Sequence, residues 1–196
     1  MSFVTASEPK PLIVLTGSDA INNSSFNIKG SWNDSIAPTA GRDYTAAQYI
    51  MRTPSSGGSM TFAGDSLTLP LLSGIRYKGG NNQTITIPQL IFDGGTIDVG
   101  NASCAFTLAG QVEVRSDSII WPQNDTTRSI NIAAAIRGAG NLNLGNGGTG
   151  TVQLSGDNSS FTGKIDVNGG TTLRIAMAQH LGLSLIHISE PTRPRL

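Results

Sequence analysis

The stretch that decides the fold begins Gly138-Ala139-Gly140-Asn141-Leu142-Asn143-Leu144 and continues Gly150-Thr151-Val152-Gln153-Leu154-Ser155-Gly156, then Asn158-Ser159-Ser160-Phe161-Thr162-Gly163. It closes with Lys164-Ile165-Asp166-Val167-Asn168-Gly169-Gly170-Thr171-Thr172-Leu173. Aliphatic residues stand two apart throughout: Leu142 and Leu144, Val152 and Leu154, Ile165 and Val167, Leu173 and Ile175. Side chains of a strand alternate between faces, so each pair points the same way. Between them lie Asn143, Gln153, Asp166 and Arg174, which suit water. Asn146-Gly147-Gly148 and Asn168-Gly169-Gly170 supply residues that tolerate sharp corners. Burying one aliphatic side chain contributes roughly 1.5–3 kcal/mol. Ordering each residue costs roughly 1–2 kcal/mol. A single short strand therefore cannot stand alone, and the strands must stack on copies of themselves.

The spacing extends towards the N-terminus through Ile130 and Ile132, Val112 and Val114, Phe106 and Leu108, Ile85 and Ile87, and Leu67 and Leu69. Ala133-Ala134-Ala135-Ile136 could open a helix, but Gly138 and Gly140 follow at once and favour a strand. The expected fold is all-β: a right-handed parallel β-helix, or a closely related β-solenoid. Residues 1–80 read as an irregular N-terminal cap or first coils. They open on the apolar run Leu12-Ile13-Val14-Leu15 and carry Phe26, Trp32, Tyr44, Tyr49, Phe62 and Tyr77. Residues 81–182 read as the regular coils.

These residues resemble the autotransporter-associated β-strand repeat of bacterial passenger regions. The resemblance rests on Gly138-x-Gly140-x-Leu142, Thr151-Val152-Gln153-Leu154-Ser155-Gly156, Asn158, Phe161-Thr162-Gly163 and Val167-Asn168-Gly169-Gly170-Thr171. It covers residues 138–182, with Asn143 and the extra Thr of 171–172 as departures. Upstream, Trp32-Asn33-Asp34, Ala37-Pro38-Thr39-Ala40-Gly41 and Phe62-Ala63-Gly64-Asp65-Ser66-Leu67 resemble, more loosely, the region preceding such repeats. The resemblance implies a structural passenger or stalk segment of a large exported surface protein, extracellular or attached to the outer membrane, presenting distal adhesive regions. Its partners would be host or matrix glycans met through the full-length protein. The alternative is a β-helical lyase or glycosidase, or a glycan-binding module.

Composition agrees with stacked strands and polar corners: 24 glycines and only 13% charged residues among 196. The net charge is zero, which gives no electrostatic case for nucleic acid or an anionic membrane. Cys104 stands alone, so neither a disulfide framework nor a multi-cysteine metal site is expected. No stretch is long and apolar enough for a membrane-spanning helix. Met1-Ser2-Phe3-Val4-Thr5-Ala6 is not a signal peptide. Residues 183–196, beginning Leu183-Ser184-Leu185-Ile186-His187-Ile188, look like a translated sequencing adapter and abandon the Gly/Asn composition. They are expected to be non-native, to add nothing to stability and to form no rung with Leu173–Ile175, the rest being a piece of a longer chain.

Chemistry-bearing patterns are few. Gly163-Lys164 lacks the spacing of a phosphate loop, since Asn158 and Ile165 occupy the required Gly and Ser/Thr positions. Asp93-Gly94-Gly95-Thr96-Ile97-Asp98 resembles a calcium turn but occurs once. His180 has no acid or nucleophile brought to it by the sequence. Asp93, Asp98, Asp117, Asp157 and Asp166 keep a glycan-cleaving site open, though nothing marks a pair. Asn-x-Ser/Thr triplets at Asn22, Asn23, Asn33, Asn82, Asn101, Asn124 and Asn158 read as corner chemistry. No catalytic, cofactor or metal residue is assigned, and no enzymatic activity is expected.

Overall fold

The computed structural model describes residues 9–101 and 103–182, and the backbone of Ile186–Ile188. The chain is a β-solenoid of about six turns, with one short 3-10 turn at Ala178–Leu181. Among the described residues, every pairing between named strands is parallel.

Two strands explain the cross-section. β7 (Gln83–Asp93) and β9 (Ala105–Ser116) are long because each runs around a corner. Their register is continuous from Gln83↔Phe106 to Ile87↔Gly110, slips, and resumes at Leu90↔Val112. Pro88 stands at the slip, where its missing N–H costs no ladder bond. On the next turn Gly110 holds the corner at φ 105°. A Cβ there would overlap the Ile87 carbonyl oxygen of the turn below, so the position demands glycine. One turn further, the corner is Ala133-Ala134 and the chain re-enters a strand at Ala135, so the alanine run does not start a helix.

The corner divides the ten-stranded sheet into two arms. The first runs β4 (Met60–Thr61), the first half of β7, the first half of β9, β11 (Ser129–Ile132), β14 (Thr151–Leu154) and β16 (Thr172–Ile175). The second runs β1 (Leu12–Val14), β2 (Asp43–Thr45), β5 (Ser66–Pro70), the second halves of β7 and β9, and β12 (Ala135–Gly138). The third face is a separate sheet. It stacks β3 (Ile50–Arg52), β6 (Gly74–Tyr77), β8 (Thr96–Val99), β10 (Ser118–Trp121), β13 (Leu142–Leu144), β15 (Ile165–Val167) and β17 (Ile186–Ile188). The strands of residues 12–77 thus lie in the same sheets as the regular coils.

The core is one cluster along the solenoid axis. Leu142, Leu144, Val152, Leu154, Ile165 and Val167 are all buried in it, as the two-residue spacing requires. So are Phe106, Leu108, Val112, Val114, Ile130, Ile132, Ile85, Ile87, Leu67 and Leu69. Leu173 is only half-buried and Ile175 is exposed, so the inward register weakens at β16. The N-terminal turns are filled by aromatic rings instead of aliphatic stacks. Phe26 meets Phe62 edge-on at 5.3 Å, Phe62 meets Tyr44 at 5.3 Å, and Tyr44 meets Trp32 at 5.0 Å.

Residues 183–196 are expected to form no rung with Leu173–Ile175, and the pairing they do make lies elsewhere: Ile186–Ile188 runs in parallel with β15, Ile165 opposite Ile186 and Val167 opposite Ile188. The reason is that a ladder is made by backbone groups. The open edge of β15 accepts any extended segment, whatever its composition. The remainder of 183–196 lies outside the described residues.

Candidate functional site

The five flagged carboxylates are dispersed. Asp93 accepts the Ser116 hydroxyl at 2.6 Å at the end of β7, whereas Asp98 lies on β8, across the next corner. Gly94 N–H donates to the Ser118 hydroxyl and Gly95 N–H to the Leu69 carbonyl. The Asp93–Asp98 turn is therefore tied by its own backbone to neighbouring turns, and its carboxylates do not converge. Asp157 accepts the Ser159 N–H, the first cause holding its carboxyl below the usual range. Asp117 and Asp166 come nearer to each other: with Asn141 and Asn143 they line a shallow depression of about 230 Å³ on the third face. Asp117 is engaged by the Asn141 amide at 2.9 Å and Asp166 by the Lys164 ammonium at 2.6 Å.

Lys164 is thus a partner of its strand neighbour, and Gly163 packs its Cα against the Gly140 backbone of the preceding turn. His180 is buried, and its Nδ1 accepts from the Ala176 and Met177 N–H groups, closing the 3-10 turn. Among the described residues no group of three His, Cys, Asp or Glu side chains could hold a metal ion.

A different cluster comes together on the third face, and of its members the sequence singles out Asp98 alone. In the outward column of that sheet, Arg52 of β3 stands opposite Arg76 of β6, Arg76 opposite Asp98 of β8, and Asp98 opposite Trp121 of β10. Neighbouring strands are about 4.8 Å apart, so the four side chains form a continuous ladder. Arg76 forks onto Asp98, Nε to Oδ1 at 3.0 Å and Nη2 to Oδ2 at 2.8 Å, and Asp98 is buried beneath it. Beside the ladder, Lys78 donates to the Gly100 carbonyl at 2.8 Å, and Arg128 reaches the Val99 carbonyl at 3.2 Å and the Gln123 amide oxygen.

Gly100 makes this crowding possible. A Cβ there would lie 2.6 Å from Arg76 Cγ and 2.7 Å from Lys78 Cδ, so the two cationic stems cross where a side chain is missing. Burial, and then the charges of Arg52, Arg76 and Arg128, pull Lys78 below the ordinary lysine range, with Asp98 opposing. Arg76 takes up the buried Asp98, Arg128 has Asp125 at 3.4 Å, and a second buried carboxylate, Asp19, accepts the backbone N–H of Arg52 at 2.8 Å. Arg52 Nε and Trp121 Nε1 are shut off from solvent with no hydrogen-bond partner among the described residues. Next to the cluster, a cleft of about 120 Å³ is walled by Asn22, Asn23, Ser24, Thr53 and Ser55, with Ile21 and Ile28 as its apolar side and Lys78 as its cation.

The signal that could have found this cluster is the rung period. Arg52, Arg76, Asp98 and Trp121 recur at 22 to 24 residues, which is one turn. That period becomes usable only when the length of each corner is known.

No protein-family model matches the chain, and neither a curated protein nor a solved structure matches it.

Proposed function

We propose that the chain is a structural stalk segment of an exported bacterial surface protein, extending and presenting regions that lie elsewhere in that protein. The observation that supports this most is the outer surface of the first arm. Its columns run Thr84–Thr107–Asn131–Gln153–Arg174 and Ala105–Ser129–Thr151–Thr172. Small, mostly uncharged polar residues repeated from turn to turn give a face that is soluble and chemically uniform, as a spacer requires. A site would break the pattern with a convergent set of groups. Charges on the second arm are tied up locally: Glu113 holds both Arg115 at 2.7 Å and Arg137 at 3.0 Å, and Asp43 and Asp93 each accept a serine hydroxyl.

A glycan-cleaving reading draws on the depression shared by Asp117 and Asp166. Neither carboxyl is sheltered as a general acid must be: Asp117 is exposed, and Asp166 is half-buried with the Lys164 ammonium upon it. The test joins both readings. Placed between an export leader and a surface reporter in an outer-membrane display system, the segment should carry the reporter to the cell surface and resist added protease there. Retention inside the cell would overturn the stalk reading. So would turnover of a polysaccharide panel by the purified chain that is lost in Asp117→Asn or Asp166→Asn.

A further inference from the structure

We propose that the cationic ladder and its neighbouring cleft on the third face bind an acidic saccharide, a sugar unit bearing a carboxylate or a sulfate ester. This goes beyond the stalk reading and does not depend on it.

The argument begins with charge. Arg52, Arg76, Lys78 and Arg128 lie within four successive turns of a chain whose net charge is zero, and the Arg128 side chain reaches back to the Val99 carbonyl beside the others. A solenoid gains nothing in stability by packing like charges together. Their mutual repulsion and partial burial already act against Lys78. Asp98 neutralises one of the four and Asp125 touches another; Asp19 accepts the backbone N–H of Arg52, which leaves the side chains of Arg52 and Lys78 without an ion-pair partner among the described residues. Arg52 spends one amino group on a weak 3.5 Å contact with the Ile21 carbonyl, and its Nε, turned away from solvent, has no partner among the described residues. An anion at this place would meet the remaining guanidinium and ammonium donors of Arg52 and Lys78.

The surroundings specify which anion. The cleft beside Lys78 offers amides and hydroxyls from Asn22, Asn23, Ser24 and Thr53, and one apolar wall from Ile21 and Ile28. That combination suits a ring with many hydroxyls, an apolar edge and a single negative group. Trp121, half-buried at the far end of the ladder, supplies an aromatic surface for a second ring. A nucleic acid would need a cationic path following the backbone over many phosphates. Here the flanking column reads Ile50, Gly74, Thr96, Ile119 and Asn143, and carries no cation.

The experiment uses the full chain and immobilised polymers: a uronate polymer, dextran sulfate, neutral dextran and single-stranded poly-dT. Lys78→Gln and Arg52→Gln are the chosen variants, because neither side chain braces a buried carboxylate as Arg76 does. Their melting temperatures are measured alongside. The expected result is binding to the uronate polymer, to dextran sulfate, or to both, and none to neutral dextran. Which of the two binds distinguishes carboxylate from sulfate. Each variant should weaken binding about tenfold, the loss of one charge-assisted hydrogen bond, with the melting temperature unchanged. Trp121→Ala should weaken polymer binding while leaving competition by inorganic phosphate unaltered. Equal binding by wild type and both glutamine variants would overturn the proposal. So would poly-dT binding as strong as the acidic polysaccharides, or binding indifferent to Trp121.

Discussion

Asn158 ties three successive turns together through one residue. Its Oδ1 accepts the Ile136 N–H at 2.8 Å from the turn below, and its Nδ2 donates to the His180 carbonyl at 2.6 Å on the turn above. Its own N–H reaches the Gln179 carbonyl. The residue is buried, so truncation would strand a backbone N–H and a carbonyl away from water. Asn158→Ala should lower stability by roughly 2–4 kcal/mol, the cost of two stranded groups, as read from chemical denaturation. Asn158→Asp should not rescue it, since a carboxylate cannot donate to His180. Tyr77 makes a second test at this scale. Its ring stacks on Phe106 at 4.2 Å, its hydroxyl donates to the Gly80 carbonyl at 2.6 Å, and burial pushes its pKa from 10.0 up to about 12. The fold favours the neutral phenol. That contribution is complete below pH 10 and is lost as pH rises towards 12. Cys104, also raised from its usual 9.0 by burial, adds loss of the same sign above pH 9. Melting temperatures measured from pH 9 to pH 11.5 should fall more steeply for wild type than for Tyr77→Phe. Parallel slopes would contradict the assignment.

At the scale of the strand, the alternation of inward and outward positions governs what a substitution does. Val152 and Ile165 lie fully inside the core, whereas Thr107 stands in the outer column of the first arm. Val152→Asp or Ile165→Asp should cost roughly 3 kcal/mol or more, because an unpaired charge enters an apolar stack. Thr107→Asp should change stability by no more than about 0.5 kcal/mol. The same alternation is why the strands from Ile85 onward were legible in the sequence: aliphatic residues two apart leave only one face to bury. Corners were less legible. Gly110, Ala133-Ala134 and Pro88 hold equivalent corners with different residues, since each solves the local close approach in its own way. The ladder from Arg52 to Trp121 was hidden for the same reason, because its members meet only after three corners per turn have been counted. At β17 composition is uninformative, because the ladder that Ile186–Ile188 makes with β15 is built from backbone groups.

For the whole molecule, stability is the sum of turns stacked on turns, each contacting mainly its neighbours. The aromatic N-terminal turns and the aliphatic later ones belong to one core, so unfolding should spread along the stack from its ends. Removing residues 183–196 uncovers the β15 ladder at Ile186–Ile188 and should lower the melting temperature relative to residues 1–196. No change would mean that this pairing contributes nothing. The central claim is that the chain coils in parallel, with one turn lying directly upon the next. Ser129 and Thr151 are direct neighbours in the first arm, as are Ala105 and Ser129. Neighbouring strands at about 4.8 Å fall within the Cα span of a disulfide, and positions two turns apart, at about 10 Å, fall outside it. The most direct measurement is paired cysteine cross-linking, with native Cys104 buried away from the oxidant. Ser129→Cys with Thr151→Cys should form an intramolecular disulfide readily under mild oxidation, and Ala105→Cys with Thr151→Cys should not. The reverse outcome, or equal cross-linking of both pairs, would contradict the stacked parallel solenoid.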